Sequence, residues 1–227
     1  MSAVNTDKPD NPTAAELSGI SAQIQAAALQ AGLTLRLAAK GYTNGPVYLK
    51  AEKILGHKLS FRNATVADAD YIVALRTDEQ KSRFISSTSA NVEAQKQWLE
   101  KYAHDDRQIY FIIQDMAGEK IGTVRLYDQQ ADSFCWGSWI IQAGSASSSS
   151  IESALMVYHY ALALGFQQAH FDVRKANESV WKFHERFGAK KTGETADDLL
   201  YTIAASDIIH SLDRYAKFLP RGIQIQF

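Results

Sequence analysis

Three apolar runs of strand length follow one another through the middle of the chain: I-Y-F-I-I-Q-D, K-I-G-T-V-R-L-Y-D and F-C-W-G-S-W-I-I. The first two are joined across M-A-G-E, a turn-length link that makes them a hairpin. The third follows after a similarly short gap. Then the pattern changes to a Ser-rich loop, a helical stretch over 151–164, Gly165, and a fourth strand, A-H-F-D-V. A turn can join antiparallel strands, but parallel neighbours need a crossover of a dozen or more residues, usually a helix. The order predicts a three-stranded antiparallel meander joined to a fourth strand by one parallel, helix-bridged step.

The flanking segments extend this pattern. L-S-F-R-N reads as a strand, and Thr65 with Asp68 has capping-box spacing for a helix over 66–77. A second helix is expected over 92–102. Beyond A-H-F-D-V come a helix at 178–187, a strand L-L-Y-T-I-A, and a helix capped by Ser206 and stopped by Pro220. The class is α+β: a mixed, mostly antiparallel central sheet flanked by helices. Residues 1–12 are polar, with Pro9 and Pro12, and read as a disordered lead-in. Leu17, Ile20, Ile24 and Leu29 give an amphipathic helix over 13–31 with a Gly stop at Gly32, and L-T-L-R-L-A after it reads as a strand. We divide the chain into an N-terminal helical extension, 1–57, and a main domain, 58–227. The extension's helix suits packing on the domain or on a second subunit, as in a homodimer.

Composition excludes several classes. With 227 residues, a net charge of -1, 46% hydrophobic and 22% charged residues, the chain is an ordinary globular one. A near-neutral balance gives no basic face for nucleic acid. No run of about 18 apolar residues suits a membrane span, and the polar N-terminus has no apolar signal region. One cysteine, Cys135, precludes an internal disulfide and fits a reducing, cytoplasmic setting. It lies in an apolar strand, where a buried inert thiol is expected. The six His are scattered without metal-ligand spacing, so no metal is expected.

Two stretches carry chemistry. In A-G-S-A-S-S-S-S-I-E-S-A-L a strand runs through small residues into a helix. Ser149 and Glu152 have capping-box spacing. Open N–H groups and the helix dipole there favour an anion; a plain polar loop with a cap fits the same residues. In N-E-S-V-W-K-F-H-E-R-F-G-A, Val180, Phe183 and Phe187 share one helical face, with His184 at its edge. Asn177 lies on nearly the same side, about 10 Å away along the axis. An amide and an imidazole lining a groove can bind a polar chain and move a proton. An N-cap and a boundary His would look the same.

The elements over 134–173 and the run 177–189 resemble the acetyl-CoA-binding half of a GNAT-superfamily N-acetyltransferase. The superfamily's last helix carries N-x-x-[AS]-x-x-[FL]-Y-x-x-x-G-F, and Asn177, Val180, Phe183 and Gly188 stand at the corresponding positions. The resemblance spans 58–219 in element order and is nearest in flavour to enzymes acetylating nucleotide-linked amino sugars or protein N-termini. It implies direct acetyl transfer from acetyl-CoA, as cosubstrate, to a primary amine. By the resemblance, backbone of Trp139, Ile140 and Ile141 binds the pantetheine arm with Asn177, and Ser147, Ser148, Ser149 and Ser150 receive the pyrophosphate. Two departures stand out: serines replace the family's [QR]-x-x-G-x-[GA] loop, and His184 replaces the Tyr that protonates the departing thiolate. Asp172 is the candidate base, with an ion pair to Arg174 or Arg186 as its competing role. Arg76, Arg125, Tyr127 and Trp136 are the candidate acceptor-binding residues, with a nucleotide phosphate for Arg125 set against a surface salt bridge. The expected acceptor is an amino sugar or sugar nucleotide; a peptide N-terminus, and a non-catalytic acyl-CoA-binding module, are the alternatives.

Overall fold

A computed structural model describes residues 30, 32–35, 38, 41, 45–78, 84 and 90–227. Its strands are β1 (Lys53–Leu55), β2 (Leu59–Asn63), β3 (Ile109–Asp115), β4 (Lys120–Gln130), β5 (Ser133–Ile141), β6 (Gln168–Arg174), β7 (Lys190–Glu194), β8 (Asp198–Ala204) and β9 (Gln224–Gln226). Its helices are α1 (Ala69–Thr77), α2 (Val92–Ala103), α3 (Ser149–Ala163), α4 (Glu178–Arg186) and α5 (Ala205–Arg214). All nine strands form one sheet, in the order β7-β8-β6-β5-β4-β3-β2-β1-β9. The expected meander is β3-β4-β5, antiparallel throughout. The expected parallel step is β5 to β6, bridged by α3. The class is the α+β fold predicted.

Alternation along β3 shows why the sheet is covered on both faces. Ile109, Phe111 and Ile113 enter one buried cluster with α3 residues such as Leu155 and Tyr158. Tyr110 and Ile112 enter another with Ile72 of α1 and with Leu99 and Tyr102 of α2. Successive side chains of a strand point to opposite faces. A strand apolar at both parities therefore needs a helical layer on each side.

Several local expectations change. The helix expected over 13–31 lies outside the described residues except at residue 30; Gly32 itself is helical, as are residues 33–35, so it is not a helix stop. Leu33 is thus a helical core residue rather than part of a strand. Strands β1, β7 and β9 were not legible: each is short, and β7, K-K-T-G-E, is almost wholly exposed. β1, within the segment read as extension, pairs with both β2 and β9. Ser206 does not cap α5, which begins at Ala205 with Ala204 in the capping position and ends at Arg214.

Thr65 and Asp68 do close a box: the Asp68 carboxylate accepts the Thr65 N–H at 2.9 Å and also binds Arg62 and Lys120. Ser149 and Glu152 do not. α3 starts one residue earlier than that spacing requires, with Ser148 in the capping position and no side-chain cap. Glu152 instead points into the interior, 1% exposed. One of its oxygens accepts the N–H groups of His57, Lys58 and Leu59 at 2.7, 2.7 and 3.0 Å. Three strong charge-assisted bonds thus tie the first turn of α3 to the β1–β2 turn. Gly56 is required there, since a Cβ would lie 2.8 Å from that same oxygen and 2.6 Å from the Met156 sulfur. Glu152→Ala leaves three N–H groups without their acceptor. It should lower unfolding stability by about 3 kcal/mol, read from urea denaturation; a loss under about 1 kcal/mol would contradict the clamp.

Candidate active site

β5 and β6 exchange ladder bonds at only three positions, Ser133, Phe134 and Cys135 against Gln168, Ala169 and His170. Each is paired much further on its other side: β5 with β4 to Ile141, β6 with β8 to Arg174. The two strands therefore diverge beyond Cys135 and His170. A cleft of about 240 Å³ opens there, lined by Trp136, Ser138, Trp139, Asp172, Asn177 and His184 among others. Among the described residues, the edge of β5 over Trp139, Ile140 and Ile141 has no partner on the β6 side, which leaves it suited to an amide-bearing chain.

β5 carries a bulge that the sequence did not announce. Thr123 faces Ile140 and Arg125 faces Gly137, so β5 has one residue more than β4 between these pairs. Ser138 takes the excess in a left-handed conformation, φ 47°, uncommon for a residue with a side chain. It is held from both sides: its carbonyl accepts from Thr123 Oγ1 at 2.9 Å, and its Oγ accepts from Arg76 at 3.0 Å. Bulges re-aim backbone and often sit beside active sites.

α4 forms one wall. It ends in a left-handed cap, Gly188 at φ 95°, where the Ala189 N–H reaches His184 O at 3.0 Å. That is the physical role of the motif glycine. Asn177 occupies the N-cap position, but its side chain makes no cap bond; it accepts only a long bond from Ser179 Oγ, 3.4 Å. Its amide is left to the cleft.

His184 is not at the edge of its face, as expected, but enclosed. Its ring lies 4.3 Å from Phe171, 5.2 Å from Trp136, 5.6 Å from Phe183 and 6.1 Å from Trp139. Among the described residues its Nδ1 has no hydrogen-bond partner. Burial pushes its pKa down to about 3, so the ring is neutral at pH 7. Trp136, expected at the acceptor, is 4% exposed and belongs mainly to this aromatic cluster. Cys135 is the inert thiol expected, buried and pushed up to about 11.

At the loop before α3, the Ser149 N–H turns back to Ala146 O and the Glu152 N–H to Ser148 O, both at 2.9 Å. Among the described residues, the N–H groups of Ser147, Ser148 and Ser150 make no backbone bond. Ser149 is buried and Ser147 exposed. Trp139 Nε1 donates to Ser153, which donates to Ser150 O, pinning the helix start to β5.

Asp172 is exposed within the cleft. The ion pair with Arg174 or Arg186 does not form: Arg174 binds Asp198 at 3.3 Å and Asp197 at 3.6 Å. Next to this cleft, and sharing Tyr127 and Ser138 with it, lies a second one of about 340 Å³ that brings Arg76, Trp98, Tyr110 and Arg125 together. Arg125 and Tyr127 share a face, as the alternation requires, with the guanidinium 4.6 Å from the Tyr127 ring. Arg125 is not in a surface salt bridge. It is half-buried, and among the described residues no carboxylate pairs with it. Burial lowers its pKa, with the neighbouring Arg76 charge acting in the same direction. Trp98, whose ring lies 5.3 Å from the Arg125 guanidinium, and Gln108, whose Oε1 accepts from Arg125 Nε at 2.6 Å, carry no sequence signal, because helix position and turn sequence alone do not aim them.

A family model described as an acetyltransferase (GNAT) domain matches residues 58–190. A solved structure described as apo FdhC, a nucleotide-linked sugar GNAT, is 34% identical, covering 76% of this chain and 98% of that one at a TM-score of 0.66. A GCN5-related N-acetyltransferase from Brucella melitensis is 17% identical over 78% of this chain and 90% of its own, TM-score 0.64. A spermidine N-acetyltransferase from Vibrio cholerae, solved with CoA and spermine, is 17% identical over 67% and 98%, TM-score 0.59. No curated protein matches. The chain belongs to the GNAT acetyltransferase family, whose members use acetyl-CoA, and is an acyltransferase by that membership. Among the described residues no helix is long and apolar enough to cross a membrane.

The enclosed imidazoles set a pH dependence. His159 is pushed down to about 4 and His184 to about 3 by burial. On unfolding each returns to an ordinary pKa near 6.5. Below that pH the unfolded chain binds protons that the folded chain excludes, so stability falls between pH 6.5 and 4. The slope approaches about 1.4 kcal/mol per pH unit per group. Urea midpoints across this range should drop, and His184→Phe should flatten the drop; an unchanged wild-type midpoint would show these rings to be solvated.

Proposed function

We propose that this enzyme transfers an acetyl group from acetyl-CoA to the primary amine of an amino sugar carried on a nucleotide. One observation carries the acceptor: Arg125, with which no carboxylate pairs among the described residues, lines a cleft together with Arg76, and that cleft shares Tyr127 and Ser138 with the splay between β5 and β6. Two guanidiniums suit a phosphate-bearing acceptor. The same charge opposes a polyamine, which would bring cations to cations. The 34% identical relative, described as a nucleotide-linked sugar GNAT, supports the same class. A peptide N-terminus gains no specific support from this lining.

The chain's residues fit the cosubstrate. The open β5 edge over Trp139, Ile140 and Ile141 receives the pantetheine amides, with the Asn177 side chain opposite. The free N–H groups of Ser147, Ser148 and Ser150, at the start of α3, receive the pyrophosphate, with Ser149 locked behind them. Acetyl-CoA supplies the acetyl group. Asp172, free of ion pairs among the described residues, takes the proton that the amine loses as its nitrogen bonds the acetyl carbon and the C–S bond breaks. His184 is neutral, so it offers an N–H to the departing sulfur rather than an imidazolium. Arg76, Arg125 and Tyr127 hold the acceptor, and Trp136 shapes the wall behind it.

Calorimetric titration with acetyl-CoA should show micromolar binding that Asn177→Ala weakens about tenfold, as for loss of a hydrogen bond to the arm. Acetyl transfer should then appear with UDP-linked amino sugars and not with spermidine. Asp172→Asn should lower kcat by at least about 10²-fold with KM for acetyl-CoA kept. Turnover of spermidine in preference to every sugar nucleotide would overturn the acceptor assignment.

A further inference from the structure

Beside the acceptor cleft a buried amide links two opposite charges. Gln108 is 9% exposed. Its Oε1 accepts from Arg125 Nε at 2.6 Å, and its Nε2 donates to Asp105 Oδ2 at 2.6 Å. A guanidinium only donates and a carboxylate only accepts, so the amide has one orientation that satisfies both. Asp105 is itself anchored: its Oδ1 accepts from the Arg107 side chain at 2.8 Å and the Arg107 N–H at 3.0 Å. The Arg107 hydrogen bond holds the Asp105 carboxyl well below the usual range, so it is charged.

The consequence falls on Arg125. Its Nε is tied back, while Trp98 and Tyr127 flank the guanidinium at 5.3 and 4.6 Å. Its Nη groups make no hydrogen bond among the described residues, and the Arg125 side chain lines the cleft that Arg76 also lines. Because the link is a neutral amide, Asp105 fixes the guanidinium without pairing with it. A carboxylate at position 108 would bind Arg125 directly and take up the charge that an anionic ligand needs.

We propose that Gln108 is a positioning residue, relaying the anchored Asp105 to Arg125 so that the outer edge of the guanidinium faces the diphosphate of the acceptor. This rests on the sugar-nucleotide reading. A guanidinium edge held in place matches phosphate oxygens two at a time.

The full chain, with CoA present, would be titrated with UDP as the nucleoside diphosphate probe. Wild type would be compared with Gln108→Leu, Gln108→Glu and Arg125→Ala, with acetyl-CoA affinity as the check that each variant folds. Gln108→Leu should weaken UDP binding about tenfold. Gln108→Glu should weaken it further, and neither should change acetyl-CoA affinity. The order is diagnostic, because glutamate has the shape of glutamine: if Gln108 merely filled space, Gln108→Glu would be the milder change. That reversed order, or wild-type UDP affinity in both, would overturn the relay. Loss in Arg125→Ala with both Gln108 variants unaffected would remove the relay and leave the anion site. Absence of wild-type UDP binding, or an Arg125→Ala variant that binds like wild type, would overturn the acceptor reading and the relay with it.

Discussion

Beyond Cys135 and His170 the two central strands stop bonding to each other, and the active cleft follows from that break. Backbone N–H and C=O groups demand partners wherever water is scarce. In β5 and β6 they are satisfied on the outer sides, by β4 and β8, and left open on the inner ones. An open pair of edges inside a sheet is a liability unless something fills it. Here aromatic rings close the bottom, with Trp136, Phe171 and His184 in mutual contact. The upper part remains for an amide-bearing ligand. His184 belongs to this plug, which is why it is neutral.

In the proposed reading, the start of α3 has to be held so that the phosphate end of such a ligand finds fixed donors. Small residues let an anion approach but hold nothing in place themselves. Rigidity comes from neighbours: Glu152 binds three consecutive N–H groups of the β1–β2 turn, and Trp139 anchors Ser153. Both bonds tie the loop to strands on either side. The serines thus replace glycines in a frame that is kept rigid from behind.

Charge divides the site by role. Among the described residues the cleft between β5 and β6 is lined by one carboxylate, Asp172, and by Arg174, whose charge is paired with Asp197 and Asp198, while the neighbouring cleft holds two guanidiniums. Tyr127 and Ser138 stand at the junction, and the left-handed Ser138 couples the halves through its bond to Arg76. Burial opposes the charge of Arg125, and two ring faces and the Gln108 amide oxygen offset that cost where no carboxylate pairs with it among the described residues.

Periodicity and turn spacing carried the architecture in the sequence: the meander β3-β4-β5, the crossover α3 and the amphipathic α4 are all set by which positions are apolar, a local property. Residue identity carried the family, through Asn177, Phe183 and Gly188, because a left-handed helix cap favours a residue without a Cβ and a free amide requires a particular side chain. The edge strands β7 and β9 stayed hidden because their exposed residues have no apolar period to read. Long-range partners stayed hidden too. Glu152 looks like a cap residue, and only the β1–β2 turn folding over α3 makes it an interior clamp. His184 looks like a boundary acid–base group, and only the convergence of Trp136, Trp139 and Phe171 strips its water and its charge. Gln108 reads as a loop residue until Asp105 and Arg125 meet at its two ends. Local apolar periodicity and turn chemistry therefore set the meander, the crossover helix and α4 in their order, but not the short edge strands. The tertiary structure decided protonation, hydrogen-bond partners and the direction of each charge, because these depend on solvent exclusion by residues far away in the chain.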